Sequence, residues 1–172
     1  MLFKVDYHIN NIYLLNINFL KENNFKNFVI DLDQTLDSSF SKKPENKVLF
    51  FLNTLKENDI KPIIISNNTN KRVSSYFDGI DILYLANANK FFSIKIKKFL
   101  IKNNIDISST LFAGDQLFTD CIYTKRIKGK FLLTEPLEKK DNIFTKLIRK
   151  IDIIIRKRLF KKNKLGIELG GK

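Results

Sequence analysis

Cysteine is almost absent from this chain of 172 residues, and Cys121 is the single example. An internal disulfide and a thiolate metal cluster are both excluded, so the fold must stand on packing in a reducing compartment. Histidine is as scarce, and the lone His8 reads as a surface or packing residue rather than a catalytic base. No run approaches the roughly 20 apolar residues of a membrane-crossing helix. The opening Met1-Leu2-Phe3-Lys4-Val5-Asp6 lacks the charged start, long apolar core and small-residue cleavage site of a secretory signal, so a cytoplasmic location is expected. There is no internal repeat, and no aromatic stacking platform of the kind that grips single-stranded nucleic acid.

What the chain has in excess is positive charge. Thirty-one Lys and Arg against 18 Asp and Glu give +13, a field that draws a protein toward phosphate-rich surfaces. Between Ile143 and Lys164 nine bases face one acid, Asp152, and this stretch supplies +8. Phe144, Leu147, Ile148, Ile151, Ile154, Ile155 and Leu159 form an apolar stripe on the same segment. A basic helix with an apolar stripe fits an interfacial helix. The cations expected to face an anionic surface are Lys146, Arg149, Lys150, Arg156, Lys157 and Arg158. The competing reading is a stripe packed on the sheet with its charges solvated.

Elsewhere short apolar runs alternate with helical patterns. Phe28–Ile30, Pro62–Ile65, Ile82–Leu85, Thr110–Ala113 and Lys130–Leu133 read as strands, while Pro44–Asn58 and Phe91–Asn103 carry apolar residues at helical spacing. Continuous rather than alternating apolar runs belong to strands buried on both faces. The expected class is α/β, a doubly wound parallel sheet of about five strands flanked by helices. The expected divisions are a domain over residues 1–142 that includes an N-terminal helix, a basic helix over 143–164 and a flexible tail over 165–172.

In such sheets ligands bind beyond the carboxyl ends of the strands, and those positions are polar here. Asp31-Leu32-Asp33-Gln34-Thr35-Leu36 follows the first run, so two acids can face one crevice. Ser66-Asn67-Asn68 follows the second and offers a hydroxyl and helix-start amides to an anion. Lys90 follows the third and counters phosphate charge. Gly114-Asp115-Gln116-Leu117-Phe118-Thr119-Asp120 follows the fourth, with two carboxylates placed for one hard cation. Singly, each has a bland reading as a turn, cap or solvated residue. Four successive strand ends in this order do not.

These four segments resemble, in order, the motifs of haloacid dehalogenase-like phosphatases, over roughly Val29 to Asp120. GDQLFTD, and SNN behind an isoleucine-rich strand, are similar to the YqeG-type branch, itself similar to phosphatidylglycerophosphate phosphatases. The resemblance implies that Asp31 attacks phosphorus and Asp33 serves as acid and base. It implies phosphoryl contacts from Thr35, Ser66, Asn67 and Lys90, with Thr35 also steadying the first loop and the Asp33 side chain. Magnesium is implied as cofactor, on Asp31, the Asp33 carbonyl, Asp115 and Asp120. Two positions depart from the pattern. Phe91 replaces the proline common after the motif lysine, which keeps Lys95 and Lys97 open as alternatives, and Gln34 replaces the usual Asn.

Many relatives insert a lid domain after the first or second motif, and the intervals here leave no room for one. An uncovered site suits phosphate on something large. The first expectation is a peripheral enzyme at the inner membrane face, releasing phosphate from phosphatidylglycerophosphate. The second is the same chemistry on nucleotide or nucleic-acid ends. The third is a non-catalytic basic module binding nucleic acid or membrane, against which the four intact acids argue. Nothing in the sequence bears on oligomeric state.

Overall fold

The computed structural model describes residues 3–138, 143–161 and 166–169, with side chains except for residues 143–150 and Phe160. Among the described residues seven strands form one all-parallel sheet: β1 (Tyr7–Ile9), β2 (Asn27–Ile30), β3 (Lys61–Ile65), β4 (Leu83–Leu85), β5 (Thr110–Gly114), β6 (Lys130–Thr134) and β7 (Ile167–Glu168). Their order is β4-β3-β2-β5-β6-β1-β7. The helices are α1 (Ile17–Glu22), α2 (Asn46–Glu57), α3 (Asn70–Tyr76), α4 (Ser93–Lys102), α5 (Ile122–Arg126) and α6 (Ile143–Lys161).

The central strands are buried on both faces, and alternate side chains feed two cores. Phe28 and Ile30 of β2 meet Val48, Phe51, Leu52 and Leu55 of α2 on one side. Val29 of β2 and Phe112 of β5 meet Ile96 and Leu100 of α4 on the other, together with Tyr123 of α5 and Leu159 of α6. The helix patterns read over Pro44–Asn58 and Phe91–Asn103 form α2 and α4, and the five expected strands form β2 to β6.

The expectation of about five strands falls short by two. β1 and β7 extend the β6 edge and are only three and two residues long. Strands this brief carry almost no periodic signal. β7 falls within the tail expected over 165–172, of which 165 and 170–172 lie outside the described residues; the Ile167 and Leu169 amides donate to the Asp6 and His8 carbonyls at 3.0 and 2.8 Å. Gly166 makes this approach possible at φ +76°, where an added Cβ would lie 2.3 Å from the Asp6 carbonyl oxygen.

The chain runs outward from β2 through β3 to β4, then returns to the other side of β2 as β5. The strand order reverses at the β2–β5 junction, where doubly wound sheets open a crevice beyond their carboxyl ends. Val29 pairs with Phe112 and Ile30 with Ala113, so Asp31 and Asp115 leave adjacent strands at nearly the same height.

Helix α6 packs one face on the body. Asp152 and Leu159 are buried, whereas Ile151, Ile153 and Ile154 are exposed. The Asp152 carboxylate accepts hydrogen bonds from the Leu117 and Phe118 amides at 2.7 and 3.1 Å and from Arg156 Nε at 2.9 Å. It thereby caps the turn Leu117–Cys121, whose first amides have no helical partner. Arg156, expected among the membrane-facing cations, instead turns inward to Glu135 and to the Asp115 and Thr134 carbonyls. Lys157 and Arg158 are exposed as expected, while the side chains of Lys146, Arg149 and Lys150 lie outside the described residues. Replacing Asp152 with Ala strands the buried Leu117 amide and the partly buried Phe118 amide and removes one of the partners of Arg156. The expected loss is about 2–4 kcal/mol of stability, measured by urea unfolding. A loss under about 0.5 kcal/mol would contradict this role.

Candidate active site

Each expected strand-end residue has a local reason for its position. The Asp31 amide donates to the Ala113 carbonyl at 3.0 Å, continuing the β2–β5 ladder one residue past the strand. The chain then coils: Leu36 and Asp37 amides return to the Leu32 carbonyl, and the Gln34 amide donates to Asp37 at 2.7 Å. Gln34 holds the left-handed conformation at φ +67°, which asparagine adopts more readily. Its longer side chain reaches further, accepting from the Glu138 amide at 2.8 Å and donating to Ser39 at 3.3 Å.

Ser66 follows β3 directly and its hydroxyl accepts from the Asn68 amide at 3.0 Å. The next loop is laced to it, with Asn87 and Ala88 amides donating to the Asn68 and Ser66 carbonyls at 2.7 and 3.0 Å. Asn67 accepts from the Lys90 backbone amide at 2.9 Å. The position usually held by proline is managed by contacts instead. Phe91 packs edge-on against Phe118 at 5.6 Å, and Arg126 donates to the Phe91 carbonyl. Lys95 is spent on the Ala86 and Asn87 carbonyls and Lys97 is exposed, which leaves Lys90 as the lysine of the site.

Lys90 is the centre of the arrangement. It is 2% exposed, and its Nζ donates to Asp31 Oδ1 and, at 2.7 Å, to Asp120 Oδ1, above the ring of Tyr123. Burial alone would depress the ammonium, but Asp120 and Asp31 outweigh it and hold the lysine above its ordinary value. Asp120 is aimed inward from the turn Leu117–Cys121, with the Gln116 amide donating to Oδ2 at 3.1 Å. Gly114 makes room, since a Cβ there would fall 2.3 Å from the Asp120 carboxyl carbon.

Asp31, Asp115 and Asp120 are all buried and offer carboxylate oxygens within 4.8 Å of one another. Burial pushes Asp31 well above the usual carboxylate range; Lys90 opposes this, and Asp120, Asp115 and Asp33 add to it. Three carboxylates against one ammonium leave two negative charges in a dry cluster. A divalent cation cancels them, and an oxygen-only donor set suits a hard one such as magnesium.

Asp33 stands on the wall of the same cavity of about 300 Å³. Burial raises it too, with Arg72 and Lys90 pulling the other way. Asn68 Nδ2 donates to its Oδ2. The expected support from Thr35 is not made: Thr35 Oγ1 is buried without a hydrogen bond, and Thr35 does not line the cavity. Its place is taken by Asn68, three residues past the end of β3 in the SNN segment. Arg72 was also missed, since nothing in sequence separates it from thirty other bases. Cys121 is fully buried and its thiol is pushed up to about 12 by burial, so it is a packing residue.

No family model matches the chain. Over 150 residues it is 26% identical to "Probable phosphatase YqeG" of Bacillus subtilis, covering 87% of each chain. The likeness is to a YqeG-type phosphatase, in keeping with the four motif segments that resemble haloacid dehalogenase-like phosphatases. Solved structures agree on the fold. An uncharacterized Listeria monocytogenes protein superposes with a TM-score of 0.52 at 13% identity, over 77% of this chain and 99% of that one. The N-terminal part of Bacteroides fragilis BF1531, containing a phosphatase domain complexed with Mg, gives 0.51 at 17% identity; the match covers 72% of this chain and spans 39% of that one.

A cation that binds Asp31, Asp115 and Asp120 stabilises the fold by mass action. Magnesium at 100 times its dissociation constant contributes about 2.7 kcal/mol, a rise in melting temperature of about 5–10 °C. Asp115→Asn is expected to abolish the rise in calorimetry. An equal rise in wild type and variant would place the ion elsewhere.

Proposed function

We propose that the chain is a magnesium-dependent phosphomonoester hydrolase working through an aspartyl-phosphate, and that its substrate is phosphatidylglycerophosphate at a membrane surface. The observation that carries the chemistry is Asp31 at the switch point, its carboxylate held by Lys90 with Asp115 and Asp120 within reach of one cation.

Asp31, the backbone carbonyl of Asp33, Asp115 and Asp120 would hold magnesium. When bound, the ion supplies charge neutralisation for carboxylates and phosphoryl oxygens that otherwise repel. Asp31 Oδ attacks phosphorus as the ester oxygen leaves, forming an acyl phosphate and splitting one hard displacement into two. Asp33 gives its proton to the departing oxygen, and its burial favours holding that proton beforehand. It then accepts a proton from the water that attacks the aspartyl-phosphate, releasing inorganic phosphate and restoring Asp31. Lys90 and the Ser66 hydroxyl bind the phosphoryl oxygens, and Asn67 fixes Lys90 through its backbone. Little else is needed, because positioning and charge dominate phosphoryl transfer.

The lipid reading rests on resemblance to the branch and on the ground around the site. The segment from Asp33 to Lys61 holds only a loop and α2, and that from Ser66 to Leu83 little beyond α3, so no lid domain encloses small substrates. On the same carboxyl edge, Ile9, Leu133 and Ile154 floor a groove of about 500 Å³ bordered by Lys157, Arg158 and Lys161. Apolar floor and basic rim match an acidic amphiphile. Among the described residues no helix is long and apolar enough to cross a membrane, so attachment would be peripheral.

The test gives the protein, with magnesium, phosphatidylglycerophosphate in vesicles, glycerol 3-phosphate and a 5′-phosphorylated oligonucleotide. Wild type is expected to release phosphate fastest from the lipid, and Asp31→Asn to lose at least about a thousandfold. Preference for the oligonucleotide would overturn the lipid assignment, and equal rates for Asp31→Asn would overturn the mechanism. Reversing Lys157 and Arg158 to Glu is expected to weaken vesicle flotation at least about tenfold, from about 1 kcal/mol per basic residue. Unchanged flotation would remove this face from the membrane contact.

A further inference from the structure

Arg72 has no part in the phosphoryl chemistry just described, yet it is built into the same cavity. It lies one turn into α3, its guanidinium carbon 5.1 Å from the centre of the Tyr76 ring. Tyr76 is itself fixed, buried with its hydroxyl donating to Asp37 at 2.5 Å. The guanidinium therefore rests on a rigid platform.

From there it reaches the cavity wall. Arg72 Nη2 lies 3.9 Å from Asp33 Oδ1, beyond hydrogen-bonding range. Both atoms are buried and neither makes a hydrogen bond. Among the described residues lining the cavity, Lys90 and Arg72 are the two cations. Lys90 is committed to Asp31 and Asp120 through charge-assisted bonds. Arg72 Nη2 by contrast makes no hydrogen bond, and a guanidinium matches carboxylate and phosphate oxygens in shape and charge.

Its side of the cavity determines what it meets. Asp33 protonates the ester oxygen, so the leaving group departs past Asp33, toward Arg72 rather than Lys90. We infer that Arg72 is a specificity residue that binds a second oxyanion, a phosphodiester or a carboxylate, on the leaving group of the phosphomonoester. This rests on the proposed phosphatase reading and narrows it, since substrates with an uncharged leaving group would not use Arg72. In an uncovered site such a contact does part of the selecting that a lid does elsewhere, and it does so by charge rather than by enclosure.

The experiment measures kcat and KM, with magnesium, for three soluble phosphomonoesters: glycerol 3-phosphate, whose leaving group is uncharged; 3-phosphoglycerate, with a carboxylate; and deacylated glycerophosphoglycerol phosphate, with a phosphodiester. Wild type is expected to prefer an anionic leaving group. Arg72→Gln should reduce that preference, expressed as a ratio of kcat/KM to glycerol 3-phosphate, by about 10- to 100-fold, mainly through KM. Arg72→Lys should restore part of it. The carboxylate and phosphodiester arms identify which oxyanion the site takes. An equal loss on all three substrates would overturn the inference, making Arg72 a support for Asp33 alone, and an unchanged ratio would overturn it as well. Failure of wild type to hydrolyse any of the three, or phosphatidylglycerophosphate, would instead strike the phosphatase reading itself.

Discussion

The structure depends on keeping three carboxylates together in a dry crevice. Asp31, Asp115 and Asp120 are at most 8% exposed, at a separation where like charges repel strongly. Lys90 makes this tolerable within the chain, and the loops around it exist to hold that one ammonium. Asn67 fixes its backbone, Lys95 pins the loop before it, and Phe91 and Arg126 pin the residue after it. Buried ion pairs are seldom the cheapest route to stability, since desolvation offsets most of their attraction. Here the arrangement is instead a site kept poised, short of balance by two negative charges, so a divalent cation enters as the component that completes it. Burial sharpens the same point, because each charge neutralised in a low dielectric counts for more than in water.

The rest of the fold serves that cluster. A parallel sheet reversing its order at β2–β5 delivers Asp31 and Asp115 side by side without special loop geometry. Asp120 needs more help. It sits in a five-residue turn of wide pitch, Leu117–Cys121, between the end of β5 and α5, and such turns recur where a functional side chain must be aimed. Gly114 clears its path from below, and Asp152 of α6 anchors the turn's first amides from above.

The sequence carried the centre of this molecule well and its edges poorly. Strands β2 to β6 are four or five residues long, or three in β4, mostly apolar and each followed by a polar cluster, and that rhythm is visible without a structure. The site was legible for the same reason, because residues at strand ends converge in any sheet of this class. β1 and β7 are too short for periodicity and are specified by partners elsewhere in the chain. Thr35 was assigned to Asp33 because the two are neighbours in sequence; once the chain coils after Leu32, Asn68 from another strand end is nearer. Arg72 was hidden by composition, since one functional base among thirty-one carries no local signature.

The basic C-terminal helix carries two faces that composition alone does not separate. As a string it is nine bases and an apolar stripe, and both invite a single interfacial face. Helical geometry divides it. Asp152, Ile155, Arg156 and Leu159 fall at i, i+3, i+4 and i+7 and turn toward the body, so the lone acid and one of the bases belong to the fold. Ile151, Ile154, Lys157, Arg158 and Lys161 remain outside. An acid amid bases was itself a clue, because a carboxylate on a solvated cationic face would add nothing to attraction for phosphate, whereas a buried one must have donors waiting. The same helix consequently presents cations to the exterior and, through Arg156, donates to the carbonyl of Asp115, one of the three acids of the cluster. The helix that carries the outer cations is thus bonded directly to the loop of Asp115.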